Sequence, residues 1–467
     1  MATCAIIYKF SNPLFWAQDK DMSIQTNLSL SSQKTTKLGG IVNVPGDKSM
    51  SHRSLILGSL AIGTTKVTGL LEGADVLATA DAMRAFGSDI IRHDDGTWVI
   101  EGQGLHGLTA PSKALDLGNS GTGVRLLMGV VAGQAITATF TGDASLSVRP
   151  MARITDPLRE MGTIVASRDG GLLPVTITGQ SEPMAISYES PVASAQIKSA
   201  ILLAGLTARG DTEVIEPHAS RDHTESMLRH FGASVEQTVR SDGTHHVQLH
   251  GGAQLIAADI KVPRDPSSAA FPIVAALLTK DSDITLPAIG MNPLRTGLIT
   301  TLIEMGGDIT MLNTRNEGGE PVADLRVRHS DLHGIEIPAE RAASMIDEFP
   351  ILSVAATQAD GITVMNGVAE LRVKETDRIK VMADGLMAAG AIVSYDDDTM
   401  TVTGSPIAGG MTVDSQHDHR IAMSFLTLGL ISEAPVSVDG CETINTSFPD
   451  FATIMQNAGA NIAEANS

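Results

Sequence analysis

The chain has 467 residues, 43% of them apolar and 3% aromatic, with a formal net charge of −20 and a mean hydropathy of +0.10. That charge argues against non-specific binding to nucleic acid or to anionic membranes, and two cysteines, Cys4 and Cys441, are too few for a disulfide framework or a thiolate metal site. No apolar run reaches the roughly 18 residues of a membrane-spanning helix, the length allows about two to four domains, and a reducing cytoplasm fits the whole.

Residues 1–37 differ in character from the rest of the chain. They hold Phe10, Phe15 and Trp16, then a Ser/Thr/Gln/Asn-rich stretch ending near Lys37. Acidic residues and the lack of arginine set this segment apart from a targeting peptide. It is expected to be a disordered N-terminal extension, with Met22 as an alternative start and the first repeat beginning near Leu38.

From there the chain repeats itself. A short apolar helix ends in glycine and passes into a strand-like run six times, at Gly87, Gly162, Gly232, Gly306, Gly390 and Gly459. The spacings are 75, 70, 74, 84 and 69 residues, longer than the roughly 20–50 of solenoid repeats. Upstream of each glycine lie a helix that is apolar nearly all round, such as SAQIKSAILLAGL or DEFPILSVAAT, and a strand, such as DTEVIEP or GITVMNG. Strand pairs such as GTWVIEGQ, LPVTITGQ, HHVQLHGG, ADLRVRH and MTVTGSP separate the units. Buried helices inside and sheets outside satisfy this pattern; crossovers in one doubly wound sheet are the competing arrangement.

The starts of the six apolar helices carry the chemistry. In chain order they hold Lys48-Ser49, Asn119-Ser120-Gly121-Thr122, Ser194-Ala195-Gln196, Asp265-Pro266-Ser267-Ser268, Asp347-Glu348 and Asp418-His419-Arg420. Ser, Thr, Asn and Asp there serve as N-caps, which suffices for Asp265 to Ser268. A helix N-terminus also offers free N–H groups and partial positive charge to anions. Six starts aimed at one cleft would bind anions in spite of the net charge. Between them come Arg149 and Arg153, Arg221, and the dense run Lys374, Glu375, Arg378, the last of which also reads as a solvated helix face. Asp347 sits in apolar SMIDEFP, a setting expected to raise its pKa and suit it to base work.

Taken together and in order, GDKSMSHR, GNSGTGVR, RPM, RVKETDR and DHRIAM resemble the 5-enolpyruvylshikimate-3-phosphate synthase family over residues 38–460, and RLLMG, SAQIKSA and SRDHTE resemble its class II branch. The resemblance implies an inside-out α/β fold of two domains, each of three units with buried helices and outer sheets. Residues 38–47 plus 264–460 would form the first domain, 48–263 the second and 461–467 a tail, with the active site in the cleft between domains. The implied reaction moves the enolpyruvyl group of phosphoenolpyruvate to the 5-hydroxyl of shikimate 3-phosphate by addition and elimination, releasing phosphate, with no metal or organic cofactor, in a monomer that meets neither nucleic acid nor membrane.

By the same resemblance, Lys48, Ser49, Arg53, Ser194, Gln196, Arg221, Asp347 and Lys374 bind shikimate 3-phosphate. Lys48, Asn119, Gly121, Arg149, Lys374, Arg378 and Arg420 bind phosphoenolpyruvate. Asp347 is the implied base, Glu375 the implied proton donor to carbon, and Lys48 a competing acid. The chain departs from the family pattern at Ala195, where many members have serine, at Arg221, near a tyrosine of others, and at Thr446, where many place a lysine. Gly121 is glycine where glyphosate-tolerant members often carry alanine. The related UDP-N-acetylglucosamine enolpyruvyl transferases use a loop cysteine, a role that neither Cys4 nor Cys441 suits. A non-catalytic clamp would show a basic channel, and a kinase would add a phosphate-binding loop or metal-binding carboxylates.

Overall fold

The computed structural model describes residues 28–317 and 319–465. The six helices that head the repeats, Lys48–Leu60, Gly121–Ala132, Ala195–Gly205, Pro266–Leu278, Phe349–Thr357 and His419–Gly429, are buried on nearly every side. Small residues let them pack closely: a Cβ on Gly129 would fall 2.3 Å from the Ala200 carbonyl oxygen. Outside them lie six four-stranded sheets among the described residues. The buried helices and outer sheets expected from the repeat, and the inside-out fold that the resemblance implies, are thus the observed arrangement.

Each unit runs strand, buried helix, strand, outer helix and a strand hairpin. The outer helix stops at the marker glycine because the turn into the next strand needs a left-handed residue; φ is 97° at Gly87 and 107° at Gly459. In the second unit, Thr137–Thr141 pairs in parallel with the edge strand Leu115–Asp116 and antiparallel with Leu172–Thr178, which pairs with Ile164–Arg168.

Two exchanges of strands close the units into two bodies. Ile260–Lys261, at the end of the third unit, pairs in parallel with Val67–Thr68 of the first. Leu30–Gln33 lies antiparallel between Val436–Asp439 and Asn461–Glu464, and Gly39–Ile41 pairs with Asp283–Thr285. Five hairpin partners are visible in the sequence downstream of their helices; the sixth comes from the start of the chain. The expectation for residues 1–37 therefore fails at Leu30–Gln33, which is an inner strand, and the expected tail 461–467 fails at Asn461–Glu464, which is that strand's neighbour. Met22 and residues 1–27 lie outside the described residues. A chain beginning at Leu38 would leave Asn461–Glu464 without a partner and one edge of Val436–Asp439 open in the sixth sheet. It is expected to melt at a clearly lower temperature or to be insoluble, and a thermal melt matching that of the full chain would show the strand to be dispensable.

The apolar side chains form two cores. One runs from Met50 to Val262; the other joins Leu30 to Val44 with Ala269 to Ile462. The chain passes between them at residues 45–47 and 263–265, which lie side by side: Asp47 N–H donates to the Pro263 carbonyl at 2.8 Å and Asp265 N–H to the Pro45 carbonyl at 2.9 Å. Gly46 lies in the first crossing because a Cβ there would sit 1.9 Å from the Gly69 carbonyl oxygen.

Candidate active site

The N-termini of all six buried helices open onto one cleft of about 390 Å³ between the two cores. Asp47, Ser120, Ser194, Asp265 and Asp418 cap five of them through their side chains. Nine lysines and arginines line the cleft, a local concentration of cations against the net charge of −20. A wider depression of about 850 Å³ on the outside of the Met50–Val262 core has a single arginine, Arg209, paired with Glu182 at 2.7 Å, and gathers no such cations.

Of the expected residues, Lys48, Ser49, Gly121, Arg149, Ser194, Gln196, Arg221, Asp347, Lys374, Glu375, Arg378 and Arg420 line the cleft together. Arg53 and Asn119 do not. Arg53 is buried and donates to the Ser49 carbonyl (2.9 Å), Ser199 Oγ (2.7 Å) and Thr224 Oγ1 (2.6 Å), and burial pushes its pKa down to about 10. Asn119 accepts from Arg149 Nη2 at 2.6 Å. Both hold cleft residues in place from behind. Thr446 donates to the Thr443 carbonyl and does not line the cleft. A Cβ at Gly121 would lie 2.9 Å from Arg125 Nη1 and 3.1 Å from Arg149 Nη1, so this glycine keeps the floor open beside two guanidinium groups.

Asp347 stands where the two domains meet. Its carboxylate accepts from Arg221 of the opposite domain at 2.7 Å and from Arg378 at 3.1 Å, with Lys374 Nζ at 3.5 Å. Burial would raise its pKa, but Lys374, Arg221, Arg420 and Arg378 outweigh burial and hold it well below the ordinary value. The apolar neighbours in its sequence thus mislead: the cations that reach it are distant along the chain, Arg221 and Arg420 in other units and Lys374 and Arg378 beyond the next strand of its own. Glu375 is held well below its ordinary value in the same way, burial being overcome by Arg378, which it contacts directly, and by Arg149 at 3.6 Å across the cleft.

Lys48 is paired with Asp75, a cleft residue that sequence reasoning missed; the only local signal is an acid in the first turn of a helix. Burial pushes the Asp75 carboxyl up, with Lys48 pulling against it. His419 also lines the cleft, and burial with the nearby charges of Lys48 and Arg420 holds its pKa well below the ordinary value, so the ring is neutral. Among the described residues no group of three or more His, Cys, Asp or Glu side chains is placed to hold a metal.

The depressed pKa of Asp347 has a thermodynamic consequence. Ionised Asp347 stabilises the fold at any pH above the ~3.9 of an unfolded aspartate, and that contribution is lost as pH falls through the lower folded value. Asp347→Asn is therefore expected to lower Tm near neutral pH, with the gap to the wild type closing below about pH 4. Thermal melts across that range decide it; a gap independent of pH would mean that the cations do not stabilise this carboxylate.

Comparison with known proteins agrees with this geometry. The family model for EPSP synthase (3-phosphoshikimate 1-carboxyvinyltransferase) matches residues 32–455. A 3-phosphoshikimate 1-carboxyvinyltransferase of Paracoccus denitrificans is 57% identical over 436 residues, 93% of this chain and 98% of that protein. The EPSP synthase structure from Acinetobacter baumannii superposes with a TM-score of 0.82 at 47% identity, covering 94% of this chain and all of that one. The enolpyruvyl transferase NikO from Streptomyces tendae, at 16% identity and a TM-score of 0.75, shares the fold. With six helix mouths and their cations meeting in one interdomain cleft, the chain belongs to the EPSP synthase family.

Proposed function

We infer that this protein transfers the enolpyruvyl group of phosphoenolpyruvate to the 5-hydroxyl of shikimate 3-phosphate, giving 5-enolpyruvylshikimate 3-phosphate and inorganic phosphate. The observation that carries the reading is the meeting of cations from both domains with two carboxylates, Asp347 and Glu375, in a cleft sized for two small polyanions.

Shikimate 3-phosphate is assigned to Lys48, Ser49, Ser194, Gln196, Arg221, Asp347 and Lys374, and phosphoenolpyruvate to Lys48, the Gly121 backbone, Arg149, Lys374, Arg378 and Arg420. Arg53 and Asn119 support these residues. In the first step the 5-hydroxyl loses its proton to Asp347 and its oxygen bonds to C2 of phosphoenolpyruvate, while the methylene carbon takes a proton from Glu375 or Lys48. In the second, the methyl group returns a proton, the C2–O bond to phosphate breaks and the double bond re-forms. Bound phosphates compete for Arg149, Arg221 and Lys374, the cations that now depress the two carboxylates. Their withdrawal raises the proton affinity of Asp347 and Glu375 when both substrates are present. The remaining cations offset charge on the departing phosphate.

The reaction is assigned to a monomer. Among the described residues no helix is long and apolar enough to cross a membrane. The proposed reaction belongs to the shikimate route to chorismate and the aromatic amino acids, and we propose that it runs in the cytoplasm. Phosphate release tests the reading: it requires both substrates together and is accompanied by the enolpyruvyl product. A folded protein that releases none from the pair would return the search to other hydroxyl acceptors.

A further inference from the structure

Each crossing between the domains ends in an aspartate that caps a cleft helix. Asp47 accepts from Met50 N–H at 2.8 Å and Asp265 from Ser267 N–H at 2.9 Å. One side chain joins them. Arg295, 4% exposed, lies in the loop before the helix Gly297–Glu304, in the domain entered at the second crossing. Its Nη1 donates to Asp47 Oδ2 at 2.7 Å and to His223 Nε2 at 3.1 Å, both in or beside the opposite domain. Its Nη2 donates to Asp265 Oδ1 at 2.9 Å and to Ser267 Oγ at 2.8 Å. Ser267 in turn donates to Glu348, the N-cap residue of Phe349–Thr357, and Glu348 Oε1 lies 3.5 Å from Arg420 Nη1.

From this geometry we propose that Arg295 is a positioning residue that registers the two halves of the cleft, acting through Asp47 on Lys48 and through Ser267 and Glu348 on Arg420. The inference rests on the function proposed above. A planar fork is what the place requires: two carboxylates on two chain crossings are held by separate nitrogens of one rigid group, which an ammonium cannot reproduce. The consequence is catalytic because small misplacements of groups that must converge on one reacting centre cost large factors in rate. Shikimate 3-phosphate alone should be less affected, since most of the residues assigned to it, Lys48, Ser49, Ser194, Gln196 and Arg221, lie on the Met50–Val262 side and only Asp347 and Lys374 reach it from the other.

Arg295→Lys keeps the charge and loses the fork. Asp47→Asn keeps a good helix cap and loses the ionic tie, which guards against a variant that fails to fold. Both are expected to lower kcat at least about tenfold while the Kd for shikimate 3-phosphate alone stays within about threefold. The double variant should be little worse than Arg295→Lys alone, because Asp47 acts on a path that starts at Arg295. Hydrogen exchange at the crossing amides of Asp47 and Asp265 should quicken in both, a readout that needs no turnover. Unchanged kcat and exchange, fully additive effects, or a parallel loss of kcat and binary affinity would each overturn the proposal. A wild-type protein that fails to turn over the substrate pair would sink the functional reading instead, and the exchange measurement would still judge Arg295.

Discussion

Replacing Lys48 by methionine is expected to lower kcat/KM by at least ~10³-fold and to leave the fold in place. Lys48 begins the first buried helix, directly after its cap Asp47, and its ammonium reaches into the cleft beside Asp75. In the proposed scheme it faces both anions and competes with Glu375 to protonate carbon, so binding and chemistry are lost together. The fold survives because the stem of methionine fills the same space, and because Asp75, whose pKa burial already raises, can take up a proton once its partner is gone. Steady-state kinetics with a thermal melt check both halves. Turnover like that of the wild type would remove Lys48 from the site, and a collapsed melting curve would make it structural.

The second large effect is expected at Glu375. Glu375→Gln keeps an oxygen that can accept from Arg378, so the cleft holds its shape. It removes the group that carries a proton to and from the methylene carbon. We expect kcat to fall ~10²–10³-fold with KM for either substrate changed by no more than about threefold. A change confined to KM would reduce Glu375 to an electrostatic partner of Arg378 and leave Lys48 as the acid.

Much of this is legible in the sequence because it is local. The marker glycines and the all-round apolar helices recur within each unit, and their period gives the number of units. The convergence of helix starts follows once the units are stacked by quasi-symmetry. What stayed hidden depends on contacts between distant parts of the chain. The pKa of Asp347 is set by Arg221, Lys374, Arg378 and Arg420, while its own neighbours in sequence suggested the opposite shift. Arg53 and Asn119 have the residue types of ligand groups, yet they turn away from the cleft, and only their partners Ser199, Thr224 and Arg149 reveal it. Arg295 is a lone arginine in a loop, without any local pattern to mark it.

The position of Leu30–Gln33 also bears on the order in which the protein can be assembled during synthesis. Ser31 and Ser437 touch across 406 positions of sequence. The body built on Met50 to Val262 has every strand it needs once Ile260–Lys261 has emerged from the ribosome. The other body cannot complete its sixth sheet until Asn461–Glu464 has been made. The earliest strand described is thus the one that waits longest for its neighbours, and a nascent chain must carry it unpaired while the other half of the molecule is already finished.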